Sequence, residues 1–204
     1  MQKINVSQIN NSTRPGVARK PAIVVTGASG GIGRPLVKRL VNAGFHVHAC
    51  VRPSDESAAD ALRATDIQPV PLDLADPASI AAAARQTLKE SGGVLAGLVN
   101  LAGMIVDGPL ELVAVADFQR QFDVNVTGPF AFTCALAPAL RRSRGRVVNI
   151  GAVTARTTVP FMVRLPPQKR RWRLLRTPCV WNLLRSESKS GSSSRCSFTY
   201  AKLP

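Results

Sequence analysis

The residues best suited to chemistry lie in Thr26-Gly27-Ala28-Ser29-Gly30-Gly31-Ile32-Gly33, a turn that can cradle phosphate. Glycines let a backbone approach a pyrophosphate closely, and a helix beginning there offers free N–H donors and a partial positive charge. Arg52 is the second candidate. An acid at the end of a second strand accepts hydrogen bonds from a ribose diol and repels a 2′-phosphate, whereas a guanidinium pairs with phosphate as a fork. The bland alternative for Arg52 is a solvated charge on a loop. Asn125, in a helical stretch, either bonds locally or meets solvent as far as its own neighbours tell. His46 and His48 alternate along one strand and share a face, but no third ligand accompanies them, so they read as surface or packing residues and no metal site is expected. Cys50, Cys134, Cys179 and Cys196 show neither metal nor redox spacing, and two fall in apolar segments, which points to a reduced, cytoplasmic protein.

These residues need elements to hold them. Ala22-Ile23-Val24-Val25 is an apolar run that reads as a buried strand before the glycine turn. Arg34 to Ala43 reads as the helix after it, with Ile32, Leu36, Leu40 and Val41 at helical spacing. His46 to Val51 is a second strand. A helix follows from about Ser54, its cap, to Ala64. Val70-Pro71-Leu72 is a short third strand ending at Asp73. Asp76 caps, and Pro77 opens, a helix running to Lys89. Leu95 to Asn100 is a fourth strand, Asp117 to Leu140 a long helix broken or bent near Gly128-Pro129, and Arg146 to Ile150 a fifth strand. Strands alternating with helices predict a doubly wound parallel α/β sheet covered on both faces. Ligands of such sheets bind at the carboxyl ends of the strands, where Gly27, Arg52, Asp73, Asn100 and Gly151 all fall.

Over roughly Pro21 to Thr158 the chain resembles the short-chain dehydrogenase/reductase family. Thr26 to Gly33 matches its TGxxxGxG turn. Asp73-Leu74-Ala75-Asp76 holds an aspartate where the family places one near adenine. Asn100-Leu101-Ala102-Gly103 is similar to NNAG, with Leu101 replacing the second asparagine, and Asp123 to Gly128 matches the helix that carries an active-site asparagine. The resemblance implies a Rossmann-like fold and hydride transfer between NAD(P)(H) and a small alcohol or carbonyl substrate. Arg52 favours NADP over NAD. It also implies cofactor contacts from Gly27, Ser29, Gly31, Ile32, Gly33, Arg52, Asp73, Leu74, Asn100, Ala102 and Gly103. Asn125 would hold a water in a proton relay. The resemblance implies a homo-oligomer as well, with part of its interface on a helix beyond the fifth strand.

The pattern then breaks. The family's catalytic serine, tyrosine and lysine supply an oxyanion donor and a general acid/base. By spacing, Ala152 stands at the serine position, Leu165 at the tyrosine position and Lys169 at the lysine position, in unrelated surroundings; the chain's one tyrosine is Tyr200. Loss of a positioned general acid costs about 10²–10⁴-fold in rate, so impaired catalysis is expected.

Charge marks the same boundary. The net charge is +15, and residues 161–204 hold ten basic residues against one acid, a net +9, leaving +6 for the first 160. The organisation expected is a loose tail at 1–20 that is no secretory signal, an NAD(P)-binding domain at 21–160 and a basic segment at 161–204. No apolar run is long enough to span a membrane. The basic segment lacks a sixth-strand and long-helix pattern, so the sheet is expected to stop after its fifth strand and leave an exposed edge. A disordered tail and a nucleic-acid patch are two readings of it, the second weak because clustered charge alone says little. A third is more specific. With the frame begun at each third codon base, permissible codons from Pro166 onward spell ASKAALEAAEDALRVELAPFGI, which is similar to the family's next helix and its approach to the sixth strand. Residues from about Val163 to about Ser194 are therefore expected to be an out-of-frame translation, although even the shifted frame encodes no tyrosine from Arg164 and Leu165.

Overall fold

A computed structural model describes residues 20–63, 67–151 and 197–201. The strands are β1 (Ala22–Thr26), β2 (His46–Val51), β3 (Gln68–Pro71), β4 (Gly97–Asn100), β5 (Arg146–Ile150) and β6 (Ser197–Ala201). They form one parallel sheet in the order β3-β2-β1-β4-β5-β6. The chain thus starts in the middle, winds outward to β3, crosses back and winds outward the other way. The five-strand part is the doubly wound, Rossmann-like arrangement that the alternation predicts.

Alternation along β1 explains the two layers. Ala22 and Val24 join a core with Ile80, Ala83, Leu98, Phe132, Leu136 and Val147. Ile23 and Val25 join another with Val37, Val47, Ala49 and Leu62. Helices α1 (Gly33–Asn42) and α2 (Glu56–Arg63) therefore cover one face, and α3 (Pro77–Glu90) and α5 (Gly128–Arg142) the other. Both faces are covered, so β1 is apolar from Ala22 to Val25 instead of alternating apolar with polar.

Two expectations need correction. The helix after β2 starts at Glu56, so Asp55 rather than Ser54 stands before it, and the Asp55 carbonyl accepts the Ala59 N–H. The long helix of the second half is broken beside Gly128, as expected. α4 (Val115–Phe122) passes into a π-turn at Asp123–Thr127, and α5 begins at Gly128, where a Cβ would collide with the Leu74 carbonyl. Finally, the sheet does not stop at its fifth strand. β6 pairs in parallel with β5, with Asn149 opposite Tyr200, and covers the edge expected to lie open. Its five residues are too short a signal to stand out after a long stretch without helical periodicity. The Asp76 cap is as expected, its carboxylate accepting the Ala78 and Ser79 N–H groups at 2.9 and 3.2 Å.

The edge at β3 is closed differently. Leu72 N–H donates to the Val51 carbonyl, so even-numbered nitrogens of β3 face β2 and odd ones face outward. Pro69 and Pro71 occupy the outward positions and present no donor to another strand.

Candidate functional site

The parallel register brings the ends of β1 to β5 to one side of the sheet, and Gly27, Arg52, Asp73, Asn100 and Gly151 gather there. Gly27 has φ +69°, a left-handed conformation suited to glycine, and a Cβ there would lie 2.8 Å from Ala102 Cα. At Gly33 a Cβ would run into the Gly27 carbonyl and the Ala28 backbone, so the helix can pack on the turn only through glycine. Gly31 is exposed, and a Cβ there would meet nothing within 4 Å.

The turn is braced from outside. Arg34 Nε donates to the Ser29 carbonyl at 2.8 Å, and Ala28 N–H donates to Cys50 O at 3.1 Å. Among the described residues, the N–H groups of Gly31 and Ile32 have no backbone acceptor. Open space beside glycine, unused N–H groups and the start of α1 together fit a pyrophosphate. Gly27, Ser29, Gly31, Ile32 and Gly33 are the residues that would hold one.

Arg52 stands one residue beyond β2 and is exposed, placed for a group leaving the glycine turn. Asp73 follows β3. Its N–H donates to Ser79 Oγ at 2.9 Å, one carboxylate oxygen accepts the Ala75 N–H at 2.9 Å, and the other lies 3.8 Å from the Arg120 guanidinium. Leu74 buries its side chain in the α3/α5 core, so only its backbone is free to take the role expected of it.

Asn100 is buried at the end of β4. Its Nδ2 donates to Asn149 Oδ1 at 2.8 Å and Thr133 Oγ1 at 3.2 Å, tying β4, β5 and α5 together. Thr26 opens the glycine motif, but its role was not read from the sequence: it joins the two central loops. Its Oγ1 accepts the N–H groups of Leu101 and Ala102, both at 3.1 Å, which holds Ala102 against Gly27. Gly103 follows, exposed.

Asn125 is 2% exposed and faces the protein interior rather than solvent. Its Oδ1 accepts Met104 N–H at 3.0 Å and its Nδ2 donates to Met104 O at 2.8 Å. Ala152, Leu165 and Lys169, and the stretch expected to be out of frame, lie outside the described residues.

Away from the site, His48 is fully buried and 3.3 Å from Glu90. Among the described residues no group of three or more His, Cys, Asp or Glu is placed to hold a metal. Cys50 and Cys134 are free thiols. Burial pushes both upward in pKa, Cys50 far above the usual range, with Arg141 opposing the shift at Cys134. Neither is a reactive thiolate by this measure. Among the described residues no helix is long and apolar enough to cross a membrane.

The glycine turn between buried strand and helix, with the Asn100 and Asn125 loops beside it, has counterparts in known proteins. The family of the short chain dehydrogenase matches residues 21–164. This chain belongs to that family. Human retinol dehydrogenase 5 is 39% identical to it over 139 residues, covering 66% of this chain and 43% of that protein. A 3-amino-tetrahydro-pyrrolizinone reductase from Xenorhabdus hominickii is 37% identical over 146 residues, covering 70% of this chain and 49% of the reductase. The chain thus spans about half the length of these relatives. A solved structure, the Pseudomonas aeruginosa RhlG/NADP active-site complex, is similar with a TM-score of 0.71 and 31% identity, over 81% of this chain and 68% of that one.

Proposed function

We propose that this chain binds NADP(H) in preference to NAD(H), at the carboxyl ends of β1, β2 and β4, as part of an oxidoreductase acting on an alcohol or carbonyl compound. The observation that carries the reading is the turn at Gly31, open and lined by unused N–H groups, with exposed Arg52 at the next strand end. When bound, the nicotinamide supplies or accepts the hydride. The chain's own part is to bind and orient. Gly27 to Gly33 hold the pyrophosphate, Arg52 pairs with the 2′-phosphate, Asp73 and Leu74 flank the adenine, and Asn100, Ala102 and Gly103 line the side toward β4. The solved relative with NADP in its active site agrees with this choice of dinucleotide. The cysteine usage fits a reducing cytoplasm.

Catalysis by this chain is a separate matter. Ala152 offers no hydroxyl donor and Leu165 no general acid, so the expected behaviour is binding with little turnover. That same pair of residues favours a second reading, a dinucleotide-binding protein without catalysis.

Fluorescence titration with NADPH and NADH tests the binding. NADPH should bind more tightly, and Arg52→Asp should reduce that preference roughly tenfold to hundredfold, the range for hydrogen bonds to a charged group. Equal affinity for both dinucleotides in both proteins overturns the assignment of Arg52. Oxidation of NADPH with a panel of aldehydes and ketones separates enzyme from binder. Sequencing the gene and its transcript across the codons for residues 160–200 decides the out-of-frame reading: a missing or extra base supports it, and an unbroken frame in both removes it.

A further inference from the structure

We infer that Gln121 is a positioning residue which, together with Asn125, fixes the loop leaving β4 as a wall of the site; its consequence for ligand binding rests on the dinucleotide reading above. Gln121 lies in the last turn of α4 and is 0% exposed. Its Oε1 accepts the Val106 N–H at 2.6 Å. Four residues on, Asn125 takes both backbone groups of Met104. A helix thus presents two amide side chains, and the loop presents three backbone groups, from residues two apart.

The spacing explains why these partners meet. In an extended segment, residues two apart turn their N–H and C=O groups to the same edge, about 6.6–6.8 Å apart. Four residues of helix rise about 6 Å. The two repeats match, so side chains at positions 121 and 125 can stand where a neighbouring strand would bond. The π-turn helps. It holds more residues per turn than an α-helix, so positions four apart stack more nearly one above the other, and Asn125 lies in its middle. Glutamine at position 121 has one methylene more reach than asparagine, which suits a loop drawing away from the helix.

The clamp acts on the site through a short path. Residues 101 and 102 are held at the root by Thr26, and Ala102 packs against Gly27. Residues 104 and 106 are held at the tip by Asn125 and Gln121. Between them the loop belongs to no strand among the described residues, and its Ile105 is 46% exposed. Release of the tip weakens the hold on the wall and leaves more of it to the Thr26 contacts at the root.

The test compares the full chain with Gln121→Met, which keeps side-chain length and volume but has no amide. Amide hydrogen exchange at Val106 should quicken about tenfold, as for a lost buried hydrogen bond, while Val24 and Leu98 in the sheet stay unchanged. NADPH affinity should fall about threefold to tenfold in the same variant. Unchanged exchange at Val106 overturns the clamp. Equal quickening at Val24 and Leu98 makes Gln121 a core filler and overturns it too. Quicker exchange at Val106 with unchanged NADPH affinity overturns its role in the site. Failure of the unaltered chain to bind either dinucleotide overturns the cofactor reading instead, and the exchange comparison still decides the clamp.

Discussion

Single atoms separate the glycines of the phosphate turn, although the sequence presents them alike. A methyl group on Gly33 has nowhere to go between α1 and the turn, whereas one on Gly31 enters open space. Gly33→Ala should therefore destabilise the fold by about 1–3 kcal/mol, the usual cost of overpacking. Gly31→Ala should leave urea unfolding unchanged but weaken dinucleotide binding, because the methyl occupies the place a phosphate needs. Equal loss of stability in both would show that the space at Gly31 serves packing. A second residue prediction concerns Arg144, the one non-glycine with positive φ (+54°) among the described residues. It follows α5 in a left-handed conformation that costs an ordinary residue about 1–2 kcal/mol. Arg144→Gly should raise the unfolding temperature by about 2–8 °C in calorimetry. The glycine motif was legible at this scale because residue type and order mark it. Thr26 and Gln121 were not. They act on backbone N–H groups 75, 76 and 15 residues away, and a backbone group leaves no residue-type signal at its own position.

Packing between elements accounts for the remaining surprises. Periodicity revealed α4 and α5 as one long helix, broken or bent, since glycine and proline at 128–129 are visible, but the π-turn before them changes the bonding without changing the composition. In β2 the alternation of His46 and His48 was legible, while the consequence depends on α3. His48 is buried on the α3 side, 3.3 Å from Glu90 and in edge contact with exposed His46. Nδ1 makes the approach to Glu90, while Nε2 has no hydrogen-bond partner among the described residues. Burial lowers the His48 pKa, His46 lowers it further, and Glu90 opposes both. A histidine that binds protons more weakly when folded favours the unfolded state in acid. Stability should be complete above the ordinary value near 6.5 and decline as pH falls below it, by at most about 1.4 kcal/mol per pH unit for one proton. Urea unfolding at pH 7.5, 6 and 5 checks this. His48→Leu should flatten the pH dependence; an unchanged slope would assign it to other groups.

Across the whole molecule, the doubly wound order followed from the sequence because the first five strands are short, largely apolar runs joined by helices. β6 did not follow, because the sequence before it lacks the helical periodicity that would predict the return of the chain. Its pairing covers the outer edge of β5, while Pro69 and Pro71 close the edge at β3. The site then draws on both halves: Gly27 and Arg52 from one, Asn100 and Asn149 from the other, joined by Thr26 across the middle. A ligand spanning this seam binds only when β1, β2 and β4 are assembled, and so must stabilise the fold as a unit. NADPH at one hundred times its dissociation constant should add about 2.7 kcal/mol, which for a chain of this size is about 5–11 °C in unfolding temperature. The shift should be smaller with NADH at equal concentration, shrink for NADPH in Arg52→Asp, and nearly vanish in Gly31→Ala. An unfolding temperature indifferent to both dinucleotides at millimolar concentration would mean that the seam, although built as a nucleotide site, does not hold one in this chain.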